Sequence, residues 1–335
     1  MKYFRLLLCA LLIFSYCAKD ESNDGHVKSD AIRIILDTDA NNELDDQHAI
    51  AYMLFNGQTF DVEGITVNRT RNGGDINEHF KEAERIVKLC GLHNQIKVYK
   101  GASGSYDEIV KNIDKPDFDG HEAVNFIIEQ AKIPSDDKLV LLPVGKLTNI
   151  ALALKKDPSI IPNVRIVWLG TNYPDPGEYN FVNDISSLYP IIESDVEFEM
   201  VMVRYGKPSG TDAVKAYLSD FQEKMPGLGP QISEPVTGRH GGTFTNFGDY
   251  SVDLFEKFRG SPTSRPLFDM AAVAIVKNPD WADRVVMNAP KFEDGKWIEQ
   301  PDNPREIVIW ENFDRENIMK DFYQTMQQYH LPEHK

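Results

Sequence analysis

Short hydrophobic runs rich in β-branched residues alternate with runs of helical periodicity along most of this chain. The runs typical of strands are 32–36, 61–67, 138–142, 165–169 and 197–203. Those typical of helices are 45–55, 76–90, 121–131, 148–156, 185–193 and 268–277. Strands that alternate with helices form a mostly parallel sheet with helices on both faces. The predicted fold class is therefore α/β, completed by a small C-terminal hairpin (284–287 with 305–310) and a closing helix (314–329).

Residues 1–17 precede this pattern and are predicted to be a signal peptide. Two basic residues come before an apolar run, 6–14, that is too short to remain as a membrane-spanning helix. The segment ends at Cys17, whose position resembles the lipidated cysteine of bacterial lipoproteins. Tyr16 departs from the Gly, Ala or Ser usual before that cysteine, so a cleaved signal without a lipid is the alternative.

The polar stretch 18–30 is predicted to be a flexible tether, which leaves residues 31–335 as the folded domain. We expect an exported protein that is lipid-anchored to the outer membrane or the cell surface, or is otherwise periplasmic. The lipid anchor would be its only membrane contact. The sequence leaves open whether the protein forms a homo-oligomer.

The net charge of -16 and the cysteine content argue against several classes of protein. A surface this acidic repels phosphate backbones, so nucleic acid is not an expected partner. The chain contains Cys9, Cys17 and Cys90, which offer no disulfide framework.

The most informative segment, 37–46, carries five carboxylates directly after the first predicted strand: Asp37, Asp39, Glu43, Asp45 and Asp46. In open α/β sheets, ligands bind at the carboxyl ends of the strands. So many like charges repel one another unless a cation lies among them. Carboxylate oxygens are ligands that suit Ca²⁺ or Mg²⁺. The alternative is a solvated acidic loop in which Asp45 and Asp46 cap the following helix.

Two other carboxylate motifs fit this segment less well. An EF-hand loop that began at Asp37 would need Gly where Asn42 stands and Glu where His48 stands, which excludes it. A phosphatase of the Asp-x-Asp kind would release phosphate with Mg²⁺. Its motif has Thr or Val where this chain has Asn41, which weakens that interpretation.

From about Ile32 to Tyr329, the chain resembles the calcium-dependent nucleoside hydrolase family. The family's motifs occur here in the family's order: Asp37-Thr38-Asp39, Asp45-Asp46, Ala49-Ile50, Gly145-Lys146-Leu147-Thr148-Asn149-Ile150-Ala151, Glu178-Tyr179-Asn180 and Asp269. The turn between the first two motifs is two residues longer than in the best-known members.

The resemblance implies a Rossmann-like fold and hydrolysis of the N-glycosidic bond of ribonucleosides to ribose and free base. It implies Ca²⁺ as the cofactor, held by Asp39, Asp46, Asp269 and the backbone carbonyl of Val144. Asp39 would also be the catalytic base for a calcium-bound water. The residues implied to bind the nucleoside are Asp45, Asn72, Asn172, Glu178 and Asn180. Asn68 is the alternative to Asn72.

The leaving-group chemistry departs from that of many members. Pyrimidine-accepting and nonspecific members carry His, a candidate general acid, immediately before the last metal-binding Asp, and this chain has Phe268 there. A purine leaves more readily without that acid, so purine ribosides are the favoured substrates. His240 either replaces the acid or is a surface turn residue. Phe244, Phe247 and Tyr250 either stack on the base or belong to the core.

The stretch 218–249 is rich in Gly, Pro and aromatic residues and is predicted to be a functional loop. The missing general acid and the surface tether also leave a second function open. In that alternative, the chain is a surface lipoprotein that binds ribosides or sugars through calcium without cleaving them.

Overall fold

The computed structural model describes residues 31–42 and 44–332, which belong to one compact unit. The predicted signal peptide, Cys17 and the tether 18–30 lie outside the described residues. The helices are α1 (Asp45–Leu54), α2 (Ile76–Leu89), α3 (Tyr106–Ile109), α4 (His121–Ala131), α5 (Thr148–Lys156), α6 (Tyr179–Asn183), α7 (Tyr189–Ile192), α8 (Leu218–Lys224), α9 (Phe247–Glu256), α10 (Phe268–Lys277) and α11 (Arg315–Gln327). Within the described range, no helix has the length and apolar character that a membrane span requires.

The strands are β1 (Ile32–Thr38), β2 (Phe60–Val67), β3 (Val98–Lys100), β4 (Leu139–Pro143), β5 (Val164–Thr171), β6 (Glu197–Met202), β7 (Lys215–Tyr217), β8 (Val236–Thr237), β9 (Thr243–Phe244), β10 (Ser264–Pro266), β11 (Asp283–Asn288), β12 (Lys291–Glu293), β13 (Lys296–Ile298) and β14 (Glu306–Glu311). One sheet has the order β11-β14-β6-β5-β4-β1-β2-β3. Its neighbours are all parallel except β11 and β14. The predicted mostly parallel α/β sheet is confirmed.

Strand β1 lies inside the sheet, between β4 and β2. Ile34 and Leu36 pack into the core cluster that contains α1 and α10, whereas Ile35 packs into the cluster that contains α4 and α5. Each of the three is fully buried, which stabilises the fold by about 1.5–3 kcal/mol per side chain. The segment 37–46 therefore leaves the sheet at the carboxyl end of an inner strand.

Two predictions of local structure are wrong. The helix predicted at 185–193 is broken into a 3₁₀ turn, Ile185–Ser187, and α7. Pro190 is tolerated in the first turn of α7 but would clash with a helical turn before it. The stretch 218–249 is not one loop, because it contains α8, the short β8–β9 pair and the beginning of α9.

The C-terminal hairpin pairing is confirmed, since β11 and β14 are antiparallel with Val285 opposite Ile309. The connection between them contains a second hairpin that the sequence did not predict, formed by β12 and β13. Asp294 and Gly295 form its two-residue turn, with φ of 49° and 75°. A left-handed conformation at both positions is what this type of tight hairpin requires.

Candidate active site

A cavity of about 740 Å³ opens at the carboxyl ends of the inner strands. Its walls come from the segments that follow β1, β4, β5 and β6, and from the beginnings of α1 and α10. Six acidic residues line it: Asp39, Asp45, Asp46, Glu178, Asp212 and Asp269. Three arginines also line it: Arg239, Arg259 and Arg265. This is the position at which open α/β sheets bind ligands.

Three of these carboxylates form a tight cluster. Asp45 and Asp46 occupy the first turn of α1, and Asp269 occupies the first turn of α10. One oxygen from each lies within 4.8 Å of the other two. The two helices begin side by side, so the positive ends of both helix dipoles point at the cluster.

Burial raises the pKa of each carboxylate in this cluster. The pKa of Asp45 rises to about 6, and the charge of Arg265 opposes a larger rise. The pKa values of Asp46 and Asp269 lie well above the usual range, because desolvation and repulsion from neighbouring carboxylates act together. Without a cation, the cluster must keep protons that free carboxylates would lose at neutral pH.

The donor set fits a hard divalent cation such as calcium. The oxygens of Asp45, Asp46 and Asp269 are buried, close together and short of positive charge, which is the condition that a bound cation would relieve. The Thr38 hydroxyl donates a hydrogen bond to Asp46 and orients it. The side-chain ligands predicted for calcium were Asp39, Asp46 and Asp269. Asp39 lines the same cavity, but the cluster of three carboxylates contains Asp45 instead of Asp39.

Asp39 is buried at the cavity wall directly after β1. The Thr70 hydroxyl donates to Asp39 Oδ2, and the Tyr179 hydroxyl donates to Thr70 Oγ1 at 3.2 Å. This chain of hydrogen bonds holds the carboxylate in one orientation. Burial raises the pKa of Asp39 to about 7, the Thr70 hydrogen bond lowers it, and repulsion from Asp45 raises it further.

Asp37, the first carboxylate of the motif, lies beneath the cavity and links the segments around it through hydrogen bonds. It accepts hydrogen bonds of 2.6 Å from Thr66, Asn68 and Asn149. Gly145 permits this packing, because a Cβ there would lie 2.6 Å from the Asn68 amide nitrogen. Asn68 is thus a buried support, whereas its alternative, Asn72, lines the cavity.

The other residues predicted to bind substrate reach the cavity in different ways. The Asn180 amide donates to the carbonyl oxygens of Val144, at 2.8 Å, and Leu169, at 3.0 Å, so it also holds the carbonyl predicted to bind calcium. Glu178 is buried at the cavity wall, and burial raises its pKa to about 7. Asn172 does not line the cavity, although its side-chain oxygen accepts the Tyr205 N–H at 3.4 Å.

Of the residues considered for binding or protonating the leaving base, only Phe268 lines the cavity. Phe268 lines the cavity and packs edge-on against Tyr205, with ring centroids 5.8 Å apart. His240 is exposed and does not line the cavity, as expected of a surface turn residue. Phe244, Phe247 and Tyr250 do not line it either, since Phe247 and Tyr250 are core residues and Phe244 packs against Tyr250. Their placement matches the alternative in which these three belong to the core.

The sequence analysis missed several cavity residues, namely Tyr205, Arg239, Phe258, Arg259 and Arg265, and also Thr70, which is buried behind Asp39. Thr70 belongs to no motif named above, and only its hydrogen bond to Asp39 shows that it is part of the site. Arg239 lies between β8 and β9, Phe258 and Arg259 follow α9, and Arg265 belongs to β10, four residues before Asp269. The sequence contained no local signal that would have placed them here.

This fold and this site together define an α/β protein with an acidic, metal-compatible cavity at the ends of its inner strands. The family model described as inosine-uridine preferring nucleoside hydrolase matches residues 34–320. The chain belongs to this family.

Curated relatives match a shorter part of the chain. A pyrimidine-specific ribonucleoside hydrolase, RihB, of Shigella flexneri is 34% identical over 166 residues, which are 47% of this chain and 47% of that protein. Its counterpart from Escherichia coli O17:K52:H18 is 29% identical over 167 residues, with the same coverage. The matched region thus spans about half the length of these relatives.

Solved structures share the fold over most of their length. A plant nucleoside hydrolase superposes with a TM-score of 0.69 at 16% identity and covers 88% of this chain and 99% of its own. A purine-preferring ribonucleoside hydrolase from Gardnerella vaginalis gives a TM-score of 0.66 at 20% identity, with 88% and 98% covered. At these identities the likeness establishes the fold.

Proposed function

We propose that this protein hydrolyses the N-glycosidic bond of ribonucleosides, preferably purine ribosides, to ribose and free base with the help of calcium. The observation that supports this most strongly is the placement of Asp39. It is a buried carboxylate at the wall of a nucleoside-sized cavity, held by Thr70 and close enough to the carboxylate cluster to influence its pKa values. Membership of the nucleoside hydrolase family supports the same reaction class.

Asp39 acts as the general base in this proposal. Water attacks the anomeric carbon while the bond to the base breaks through an oxocarbenium-like transition state. Asp39 accepts the proton that the water loses, at a carboxylate oxygen that the Thr70–Tyr179 hydrogen bonds keep oriented. A well-oriented base of this kind typically contributes about 10²–10⁴ in rate.

The remaining carboxylates bind and orient. Asp46, Asp269, Asp39 and the Val144 carbonyl would hold the calcium, with Asp45 next to them. When bound, calcium would supply positive charge for the ribose hydroxyls and lower the pKa of a water. Glu178 and Asn180 lie across the cavity as acceptors for ribose hydroxyls, with Asn72 at the rim and Asn172 supporting the Tyr205 backbone.

The purine preference rests on Phe268, which lines the cavity where a histidine acid would be needed. The names of related proteins include both a pyrimidine-specific and a purine-preferring hydrolase. Among the described residues that line the cavity there is no histidine. A purine can be protonated by solvent at its imidazole ring and leave, whereas a pyrimidine depends more on an enzymic acid.

A panel of nucleosides assayed for released ribose, with and without a chelator, tests the proposal. We expect inosine to be hydrolysed faster than uridine by about 10²–10⁴, the usual contribution of a general acid. Phe268→His should raise the uridine rate and narrow that ratio, and Phe268→Leu serves as the control that removes the ring without adding an acid. Equal wild-type rates on inosine and uridine would contradict the purine preference. Binding without turnover of any nucleoside would favour the non-catalytic riboside-binding lipoprotein.

We also propose, on the sequence alone, that the protein is exported and anchored through a lipid on Cys17. Cys17→Ser should move the protein from the membrane fraction to the soluble periplasmic or secreted fraction, as measured by immunoblotting of fractionated cells. A wild-type protein found in the soluble fraction would support the cleaved signal without a lipid, and a Cys17→Ser variant that stays in the membrane fraction would contradict the lipid anchor.

A further inference from the structure

Three arginines line the cavity, and the proposed hydrolysis of a neutral nucleoside gives none of them a role. Arg239 is engaged by the protein itself, because its guanidinium donates to the Asn41 carbonyl at 2.7 Å. Arg259 and Arg265 differ from it. Within residues 31–42 and 44–332, neither makes a hydrogen bond or an ion pair through its guanidinium, although both line the cavity.

The guanidinium of Arg265 is held in place without being neutralised. It lies over the ring of Phe258 with its central carbon 4.1 Å from the ring centroid. Stacking occupies the face of the guanidinium and leaves its N–H edge free. The backbone of Arg265 is held by the β10–β7 pair, opposite Ala216. Arg265 is therefore a positioned donor and not a mobile surface side chain.

The Nε atom of Arg265 is buried and has no hydrogen-bond partner in the part of the chain that the structure describes. A buried donor without a partner is uncommon and costly in a folded protein. The charge of Arg265 lowers the pKa of Asp45, yet the two side chains do not form an ion pair. Among residues 31–42 and 44–332, no acceptor pairs with this N–H edge.

Carboxylates and phosphates are the acceptors that match a guanidinium edge, since they can accept two parallel N–H donors. The cavity volume of about 740 Å³ lies in the upper part of the usual range for small-molecule sites, about 300–1,000 Å³. There is accordingly space for a riboside that carries an additional charged substituent.

We propose that Arg265, assisted by Arg259, selects ribosides that carry an anionic group, either a carboxylate on the leaving base or a phosphate on the ribose. This inference rests on the proposed riboside hydrolysis for its substrate class. It makes Arg265 a specificity-determining residue, and it predicts that a neutral nucleoside is a poorer substrate than its acidic counterpart.

Two matched pairs of ribosides test this proposal. Nicotinic acid riboside carries a carboxylate on its pyridinium base, and nicotinamide riboside carries an uncharged amide in its place. When the C–N bond electrons pass to the ring nitrogen, the bases leave as nicotinate and nicotinamide with an uncharged ring nitrogen, so no general acid is needed. Inosine 5′-monophosphate and inosine differ by the phosphate. The measured quantity is the ratio of kcat/KM for the member that carries the anionic group to kcat/KM for the member that lacks it.

In Arg265→Met, this ratio should fall by about tenfold to a hundredfold in at least one pair, the effect of losing hydrogen bonds to a charged group. Arg259→Met should lower it less, because that side chain is exposed. Arg284→Met, which removes an exposed arginine from the edge strand β11, should leave it unchanged. Melting temperatures confirm that each variant is folded.

The pair that responds identifies the source of the anionic group. An unchanged ratio in both pairs would overturn the proposal. An equal loss of kcat/KM for the members with and without the anionic group would also overturn it, since Arg265 would then act only through Asp45. If the wild type hydrolyses none of the four ribosides, the proposed function fails. Calorimetry then measures binding of the same four compounds. Tighter binding of the members that carry the anionic group supports the anion site if Arg265→Met loses that difference. Equal binding of the two members of each pair overturns it.

Discussion

Replacing Asp39 by Asn should lower kcat for inosine hydrolysis by about 10²–10⁴ while the protein stays folded. Asn has nearly the same shape as Asp, and its amide oxygen can still accept the Thr70 hydroxyl, so the hydrogen bond that orients the side chain is kept. What the variant loses is the ability to accept a proton from the attacking water. The measurement is initial rates of ribose release, together with the melting temperature.

A matched control for this variant is Asp212→Asn. Asp212 also lines the cavity, but its carboxylate pairs with Lys215 at 3.4 Å and has no part in the proposed mechanism. We expect its rate to stay within about threefold of the wild type, as is usual for a partly exposed ion pair. A similar loss in both variants would mean that negative charge in the cavity, and not the base at position 39, supports catalysis.

Removing calcium with a chelator should destabilise the protein strongly at pH 8 and only weakly at pH 5. In the metal-free protein, burial raises the pKa of Asp39 to about 7 and that of Asp45 to about 6, from an ordinary value of 3.8. Below pH 4 the folded and unfolded chains are both protonated, so the raised pKa values have no cost. Between pH 4 and 7 the unfolded chain releases these protons more readily, and the free energy of unfolding falls.

Calcium takes the place of those protons, so its stabilising effect should grow with pH. We expect saturating calcium to raise the melting temperature by roughly 5–10 °C at pH 8, and by much less at pH 5. Surface groups titrate alike with and without calcium, so the difference between the two conditions isolates the site. Metal analysis of the loaded protein should find one calcium per chain.

The variant Asp269→Asn provides a second check on this effect. It removes one carboxylate from the cluster without changing its size, so repulsion within the metal-free site is relieved. In chelator at pH 8, the variant should be at least as stable as the wild type, and it should gain less from calcium. A wild type that responds to calcium equally at both pH values, or not at all, would rule out this cluster as the binding site.

Much of the fold and part of the site were predictable because they depend on local patterns. The consecutive apolar residues 34–36 of β1 predict a strand buried on both faces, and carboxylates directly after them predict a ligand site at its carboxyl end. Strand–helix alternation then predicts a parallel sheet. Asp39, Asp45 and Asp46 could be named for the cavity because all three belong to this one strand-to-helix segment.

Tertiary structure decided what depends on contacts between distant segments. Packing distinguishes Asn68 from Asn72, because Asn68 donates a hydrogen bond to Asp37 beneath the cavity while Asn72 lines the cavity. The two alternatives for Phe244, Phe247 and Tyr250 stayed open for the same reason. Hydrophobicity alone does not distinguish Tyr250 in the core from Tyr205 at the cavity, since both gain from burying an aromatic ring.

The sequence by itself determined the order of the elements and the chemistry of the first motif, since both are encoded over a few neighbouring residues. The charge of the completed cavity was decided only by folding. Arg265 becomes significant because β10 sets it over Phe258 near Asp45, although some 220 residues separate it from that carboxylate in the chain. Electrostatic interactions act through space, so their balance at a site is known only once the chain has brought its charges together.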